Sequence, residues 1–217
     1  MTQLIYCYDA YCMWCYGFSP VMRRIAEKYR TSLPIEVLSG GMIRPDQPKH
    51  ISLTAGYIAE SYRQVENLTG CRFGADYLWH ILNPEESDWY PDSTKAAVAM
   101  CIFREMFPTL QAIFAEELQY ALFYEGRDLC DNDAYRHLLD KYHIDHETFY
   151  KKLASEEYAE KANYEFALVK QLVVSGFPAV FLQVSDTKFH QVARGYTDFE
   201  TLDQRIIHVM QELRSAE

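Results

Sequence analysis

Two cysteines three positions apart, in Cys12-Met13-Trp14-Cys15, carry the plainest chemistry in this chain. Thiols at that separation on a helix lie about one turn apart, so one sulfur can attack a mixed disulfide formed by the other. The pair follows the apolar stretch Leu4-Ile5-Tyr6-Cys7-Tyr8 and opens a helical pattern. At a strand-to-helix junction the first sulfur meets unpaired helix N–H groups and the positive end of the macrodipole, which favour a thiolate. Cys12 is therefore read as the nucleophile and Cys15, one turn in and less exposed, as the resolving thiol. The arrangement suits dithiol–disulfide exchange. A structural pair or half of a zinc site is the competing reading. Zinc needs two further ligands at matched spacing, and the candidate is His143-Ile144-Asp145-His146. That segment reads better as a solvated loop with Asp145 as a helix cap, so no metal is expected.

The surrounding pattern must hold the pair in place. Residues 3–9 read as a strand, and Phe18, Val21, Met22, Ile25, Ala26 and Tyr29 then fall at helical spacing. Ser19-Pro20 either kinks this helix or restarts it, with Ser19 as cap. Pro34-Ile35-Glu36-Val37-Leu38 reads as a second strand ended by Gly40-Gly41. From about residue 45 to 170 the pattern is helical, in segments near 50–67, 72–81, 93–106, 109–124, 132–141 and 146–171. Asp92 or Ser93 is the expected cap of the third.

Strand signals return at Ala179–Val184 and Lys188–Ala193, joined by Ser185-Asp186-Thr187 as a hairpin. Thr197 with Glu200 reads as a capping box for a last helix whose apolar face is Phe199, Leu202, Ile206, Val209, Met210 and Leu213. The simplest architecture is one α/β domain built from residues 1–42 and 172–217, with an all-helical insertion over 43–171. A right-handed crossover would place the first two strands parallel.

Composition narrows the partners. The 217 residues are 49% hydrophobic and 15% aromatic, enough for a sizeable core. The net charge of −10 argues against nucleic acid and anionic membrane surfaces. No apolar run approaches the ~20 residues of a membrane span, and no basic segment precedes an apolar one as in a secretory signal. The chain is read as cytoplasmic. A core of this size does not need six cysteines as a disulfide scaffold. Cys7 and Cys101 sit in apolar runs and are expected to be buried, while Cys71 and Cys130 lie near loop signals as candidate exposed thiols.

Cys12-x-x-Cys15 at the end of the first strand, Pro20 five residues past the second cysteine, Gly176-Phe177-Pro178 before an apolar strand, and Gly195 before the last helix occur in one order. In that order they resemble the thioredoxin superfamily, and the helical insertion resembles its DsbA-like members. Tyr8 to Pro20 is most similar to a cytoplasmic subgroup of predicted protein-disulfide isomerases. The resemblance covers residues 1–42 and 175–215; the middle matches only in being helical. It implies a thioredoxin-like α/β fold of DsbA type, a redox-active Cys12–Cys15 pair, and a cis Pro178 that lets Phe177 pair with an extended substrate.

The implied activity is a thiol–disulfide oxidoreductase, acting as reductase or isomerase on a disulfide- or thiol-containing polypeptide or a small thiol. No cofactor is implied beyond the redox-active disulfide, with glutathione as a candidate electron donor. Met13 and Trp14, expected to be exposed beside the reactive sulfur, join Phe177 and Pro178 as substrate contacts, although Trp14 packs equally well on the insertion. Between the cysteines stands Met-Trp where DsbA has Pro-His. No imidazole adds positive charge there, so nothing marks the pair as a strong oxidant; a largely reduced resting pair is expected.

Asp9 either relays the proton of Cys15 or, in the preferred reading, caps a turn. Two other functions compete. One is a glutathione-dependent isomerase or transferase of the same fold, whose members usually carry Ser at the nucleophile position. The other is a peptide-binding chaperone or adaptor working through aromatics of the insertion. Those aromatics (Tyr120, Phe123, Tyr124, Tyr158, Tyr164, Phe166) are expected in the core. Outside His143 and His146, no histidine shows a carboxylate or cysteine partner by spacing.

Overall fold

A computed structural model describes residues 2–44 and 47–215, so the expected start of the helical stretch near residue 45 lies outside the described residues. Four strands, β1 (Gln3–Tyr8), β2 (Ile35–Ser39), β3 (Ala179–Gln183) and β4 (Phe189–Arg194), form one sheet in the order β2-β1-β3-β4. β1 and β2 are parallel, with Tyr6 opposite Val37. β3 runs antiparallel to both β1 and β4, with an irregularity between Val180 and Phe181. The two ends of the chain therefore meet in one sheet, with β1 central.

Alternation along β1 divides the core. Leu4, Tyr6 and Tyr8 enter the main cluster with α1 (Met13–Tyr29), while Ile5 and Cys7 join Leu38, Val169, Ala179 and Phe181 on the other face. Val169 belongs to α8 (Glu156–Gln171), so the far end of the helical stretch returns to cover the sheet. The other helices of that stretch are α2 (Ser52–Thr69), α3 (Ala75–Leu82), α4 (Ser93–Met106), α5 (Gln111–Phe123), α6 (Arg136–Tyr142) and α7 (His146–Leu153). α9 (Phe199–Ser215) packs Leu202, Ile206 and Val209 into the main core.

α1 runs unbroken through Pro20, so the helix does not restart there. Proline leaves the carbonyl four residues back without its helical donor. Here the Ser19 hydroxyl donates to that carbonyl, on Tyr16, at 2.8 Å. Ser19 is thus an internal repair and not a cap.

Other expectations are corrected by local hydrogen bonding. The segment 146–171 is two helices: Ser155 accepts the Tyr158 N–H and starts α8 anew. Residues Asn132–Tyr135 form a 3₁₀ turn before α6. The last helix is capped by Asp198, which accepts from the Thr201 N–H at 2.9 Å; Thr197 turns back to the Gly195 carbonyl. Asp92 caps α4 and Asp145 caps α7.

β2 is an edge strand whose open side is met by side chains, which blunts it for pairing. Gln111 accepts the Val37 N–H at 3.0 Å, and buried Glu165 accepts the Ser39 N–H at 2.9 Å. Arg104 joins them, donating to the Val37 carbonyl at 2.5 Å and pairing with Glu165 at 2.7 Å.

The insertion aromatics divide. Phe123, Tyr158 and Phe166 are buried as expected, whereas Tyr120, Tyr124 and Tyr164 are exposed. His208 pairs with Glu212 one turn on, at 3.2 Å, a partner visible in the spacing after all. Among the described residues no helix is long and apolar enough to cross a membrane.

Candidate active site

Cys12 stands at the N-cap of α1 in extended conformation, and its Sγ accepts the Cys15 N–H at 3.3 Å. This is the orphan-donor geometry that a strand-to-helix junction provides. Cys12 keeps 6% of its surface exposed and Cys15 none, and both thiols are free. Burial pushes the Cys15 thiol well above its ordinary range, and its bond to Cys12 pushes further the same way; the Asp9 N–H opposes them. Cys15 thus holds its proton while Cys12 carries the accepting sulfur.

The C-terminal part of the chain supplies the opposite wall. The Phe177–Pro178 peptide is cis, and the Phe177 carbonyl faces the Cys12 thiol at 3.7 Å. Pro178 is held from behind, where its carbonyl accepts the Gly195 N–H at 2.8 Å, with Gly195 at φ +72°. The ring of Phe177 lies on Gly40, at the end of β2. A Cβ on Gly40 would stand 2.0 Å from that ring, so only glycine leaves the space.

A cavity of about 580 Å³ opens beside Cys12, lined among others by Tyr11, Met13, Trp14, Met42, Tyr57 and Phe177. Met13 corrects an expectation. It is buried, 5% exposed, and reaches the cavity only as part of its wall, because the first turn of α1 presses it into the core. Trp14, expected to be exposed, is half-buried: it packs against the main core and lines the cavity.

Beneath the pair lies a polar cluster drawn from distant segments. Asp9 is fully buried, and its carboxylate accepts from the Tyr11 N–H at 3.0 Å, the Met42 N–H at 2.7 Å and the Ser93 hydroxyl at 2.9 Å. It ties a turn, as preferred, and also ties two further segments. Burial raises its pKa, against those same donors. Gln119 of α5 donates to the carbonyls of Asp9, at 3.0 Å, and Cys12, at 3.4 Å. Among the described residues the buried hydroxyls of Tyr6 and Tyr8 and the Gln119 Oε1 find no hydrogen-bond partner.

Sequence reading did not single out Tyr6 or Gln119, and took Ser93 only as a candidate helix cap. For Tyr6 a signal existed: the period-two alternation of β1 puts it on the α1 side. Ser93 and Gln119 had none.

The remaining cysteines sort themselves by surroundings. Cys7 and Cys101 are buried as expected, whereas Cys71 and Cys130 are only half-exposed. Cys130 lies 3.4 Å from the Tyr11 hydroxyl, behind the cavity wall. His143 closes α6 in the left-handed region and His146 pairs with Asp140 at 2.9 Å. Among the described residues no group of three or more His, Cys, Asp or Glu could hold a metal ion.

With this geometry established, comparison with known proteins decides the family. The model of the DSBA-like thioredoxin domain matches residues 3–207. The chain belongs to that family. The fold is accordingly the thioredoxin-like α/β type with helices inserted between its strands. No curated protein matches.

Among solved structures, a proposed protein disulfide isomerase from Nitrosomonas europaea superposes with a TM-score of 0.83 at 24% identity, covering 97% of this chain and 98% of that one. The cytosolic disulfide reductase DsbM from Pseudomonas aeruginosa is 26% identical, with a TM-score of 0.74 and 98% of each chain covered. The same reductase with GSH gives 25% identity and a TM-score of 0.73, covering 98% of this chain and 99% of that one.

Proposed function

We propose that this DSBA-like protein is a thiol–disulfide oxidoreductase acting through Cys12 and Cys15, as a reductase or isomerase. The observation that carries the reading is the Cys12 sulfur, which accepts the Cys15 N–H at 3.3 Å, faces the Phe177 carbonyl and borders an open cavity. The Cys12 thiolate attacks a disulfide R–S–S–R′, forming a Cys12–S–S–R bond and releasing R′–S⁻. Cys15 then attacks the Cys12 sulfur, closes the Cys12–Cys15 disulfide and releases R–S⁻. Two electrons pass to the substrate and both leaving thiolates end protonated.

In this reading Met13, Trp14, Phe177 and Pro178 contact the substrate, a disulfide-bearing polypeptide or small thiol. Residues 1–42 and 172–217 form the exchanging unit and residues 43–171 the insertion. Ile43, Thr54, Tyr57, Ile58 and Tyr77 of that insertion line the cavity, which supports a role in shaping the substrate. Glutathione is the proposed electron donor and the cytosol the proposed compartment, supported by the likeness to a cytosolic reductase solved with GSH. Met-Trp between the cysteines adds no cation near the thiolate. Thiolate stabilisation is left to the helix N-terminus, and the pair is expected to rest as a dithiol, which requires its potential to lie above a cytosolic glutathione poise of roughly −220 to −320 mV.

A redox titration in glutathione buffers, read by tryptophan fluorescence and thiol alkylation, tests this. One two-electron transition that leaves the pair mostly reduced at the cytosolic ratio, and vanishes in Cys12→Ser, is expected. A pair that stays oxidised there defeats the reductase reading. A pair with no transition at all defeats exchange altogether.

A further inference from the structure

β1 turns Tyr6 and Tyr8 toward α1, and the helix answers with Cys15 and Phe18, one turn apart on its buried face. Phe18 packs edge-on against Tyr6 at 5.9 Å between ring centroids, and Tyr8 lies 5.7 Å from Tyr6 on the other side. The ring of Tyr6 is thus fixed on two sides. Its hydroxyl, on a residue 1% exposed, has no hydrogen-bond partner among the described residues.

A buried hydroxyl without a partner is costly, and such a group in a folded protein requires an explanation. Tyr6 and Cys15 belong to the same buried cluster between β1 and α1, in which Tyr6 packs against Phe18, one turn from Cys15. Cys15 is the ionisable group whose charge acts most strongly on the Tyr6 hydroxyl.

We propose that the Tyr6 hydroxyl is a hydrogen-bond donor held ready for the Cys15 thiolate when that thiolate forms to resolve the mixed disulfide. The inference rests on the exchange chemistry above. In the resting dithiol the donor is idle, because Cys15 keeps its proton. During resolution Cys15 gives up that proton, which ends on the leaving thiolate R–S⁻. The Cys15–Cys12 bond forms as the Cys12–S–R bond breaks. Tyr6 keeps its own proton throughout and only lends its O–H to the charged sulfur.

Burial, and then the neighbouring Cys15, push the Tyr6 phenol well above its usual range, which suits a donor that must not ionise. A donor already in place when charge develops stabilises the transition state without reorganisation. Asp9 does not compete for this part, since its carboxylate is engaged by Tyr11, Met42 and Ser93.

The test is single-turnover reaction of the reduced protein with the aromatic disulfide 5,5′-dithiobis(2-nitrobenzoate), followed by release of the coloured thiolate. Attack by Cys12 releases one equivalent and resolution by Cys15 a second, and Cys15→Ser identifies the second phase by abolishing it. In Tyr6→Phe the first phase should match the wild type. The second should slow by roughly tenfold or more, the size expected for loss of a hydrogen bond to a charged group, and its pH profile should move to higher pH.

Tyr8→Phe removes the neighbouring idle hydroxyl and should leave the second phase near the wild-type rate. Site-specific fluorotyrosine at position 6, a more acidic donor that preserves ring and hydroxyl, should speed the second phase and serves if Tyr6→Phe folds poorly. Unchanged second phases in Tyr6→Phe or in the fluorotyrosine protein overturn the inference, as does equal slowing in Tyr8→Phe. Absence of the first phase in the wild type would instead overturn the exchange reading itself.

Discussion

At the open edge of β2, Glu165 receives Arg104, the Cys101 thiol and the Ser39 N–H, while Gln111 receives Val37 and Arg104 and donates to Pro108. The side-chain polar atoms of Glu165, Arg104 and Gln111 are occupied; only the Ser39 hydroxyl nearby stands unpartnered. Beneath Cys15, burial is just as deep, yet Tyr6, Tyr8 and Gln119 each keep an unpaired polar atom. Both regions anchor helices to β1 or β2, so scaffolding alone does not account for the contrast. A fully satisfied buried network rigidifies a single arrangement, whereas a buried polar group left unpaired is costly to that arrangement. The β2 edge holds the fold, and beneath Cys15 Tyr6 alone is proposed to serve the chemistry, with Tyr8 its idle neighbour.

Raising the pH attacks both regions at once and should give the largest effect. Burial pushes the Cys7 thiol up to about 12 and raises Cys101 and Cys15. A thiol whose folded pKa is raised contributes stability that is complete below the unfolded value of ~8.5 and is lost as pH climbs toward the folded value. Above about pH 9, each such thiol should therefore cost about 1.4 kcal/mol per pH unit. Denaturant unfolding of the reduced protein across this range should show the loss, and Cys15→Ala or Cys101→Ala should each flatten the slope by one thiol's share. A slope that Cys15→Ala leaves unchanged would mean that Cys15 ionises as freely folded as unfolded.

Next in size, Glu165→Ala should destabilise by about 3 kcal/mol, because it removes at once the acceptor of Arg104, the Cys101 thiol and the Ser39 N–H, and leaves Arg104 only the more distant Glu36 as a carboxylate partner, at 3.9 Å. Melting and denaturant midpoints measure it, while exchange by the protein that remains folded should be little changed. A small loss of stability, or a large loss of exchange in folded protein, would erase the distinction between the regions. The smallest effect is expected from Tyr8→Phe, which removes an unpartnered hydroxyl from the other region. Its stability should equal the wild type or exceed it by up to about 1 kcal/mol, and a clear drop in melting temperature would show that the hydroxyl is not idle.

What could be read from the chain follows the range of the forces involved. The strand-to-helix junction at Cys12, the strands at both ends and the caps Asp92 and Asp145 depend on neighbours within a turn or a strand, and all were legible. The break at Ala154-Ser155 was written in the serine but masked by apolar spacing that continues in phase across it. Pro20 looked like an interruption because its repair by Ser19 is a single side-chain hydrogen bond. Met13 was misjudged because its burial depends on helices whose docking has no local signature. The partners of Asp9 lie farther off still: Ser93 is 84 positions away, and Gln119, bonded to its carbonyl, is 110 away. No pattern within a window of the sequence announces them.

Gly40 acts on the site by what it lacks. Its N–H donates to the Tyr8 carbonyl at 2.7 Å, continuing the β1–β2 pairing in which Tyr8 faces Ser39. Phe177 rests against it as a part rests against a machined stop. The reach of the Phe177 carbonyl toward Cys12 is therefore gauged by the sheet as well as by the loop that carries it. Alignment of the two walls is inherited from strand register. A slip of β2 by one residue would bring a side chain or a differently turned glycine to the stop, and the gap in front of the sulfur would be mis-set from behind.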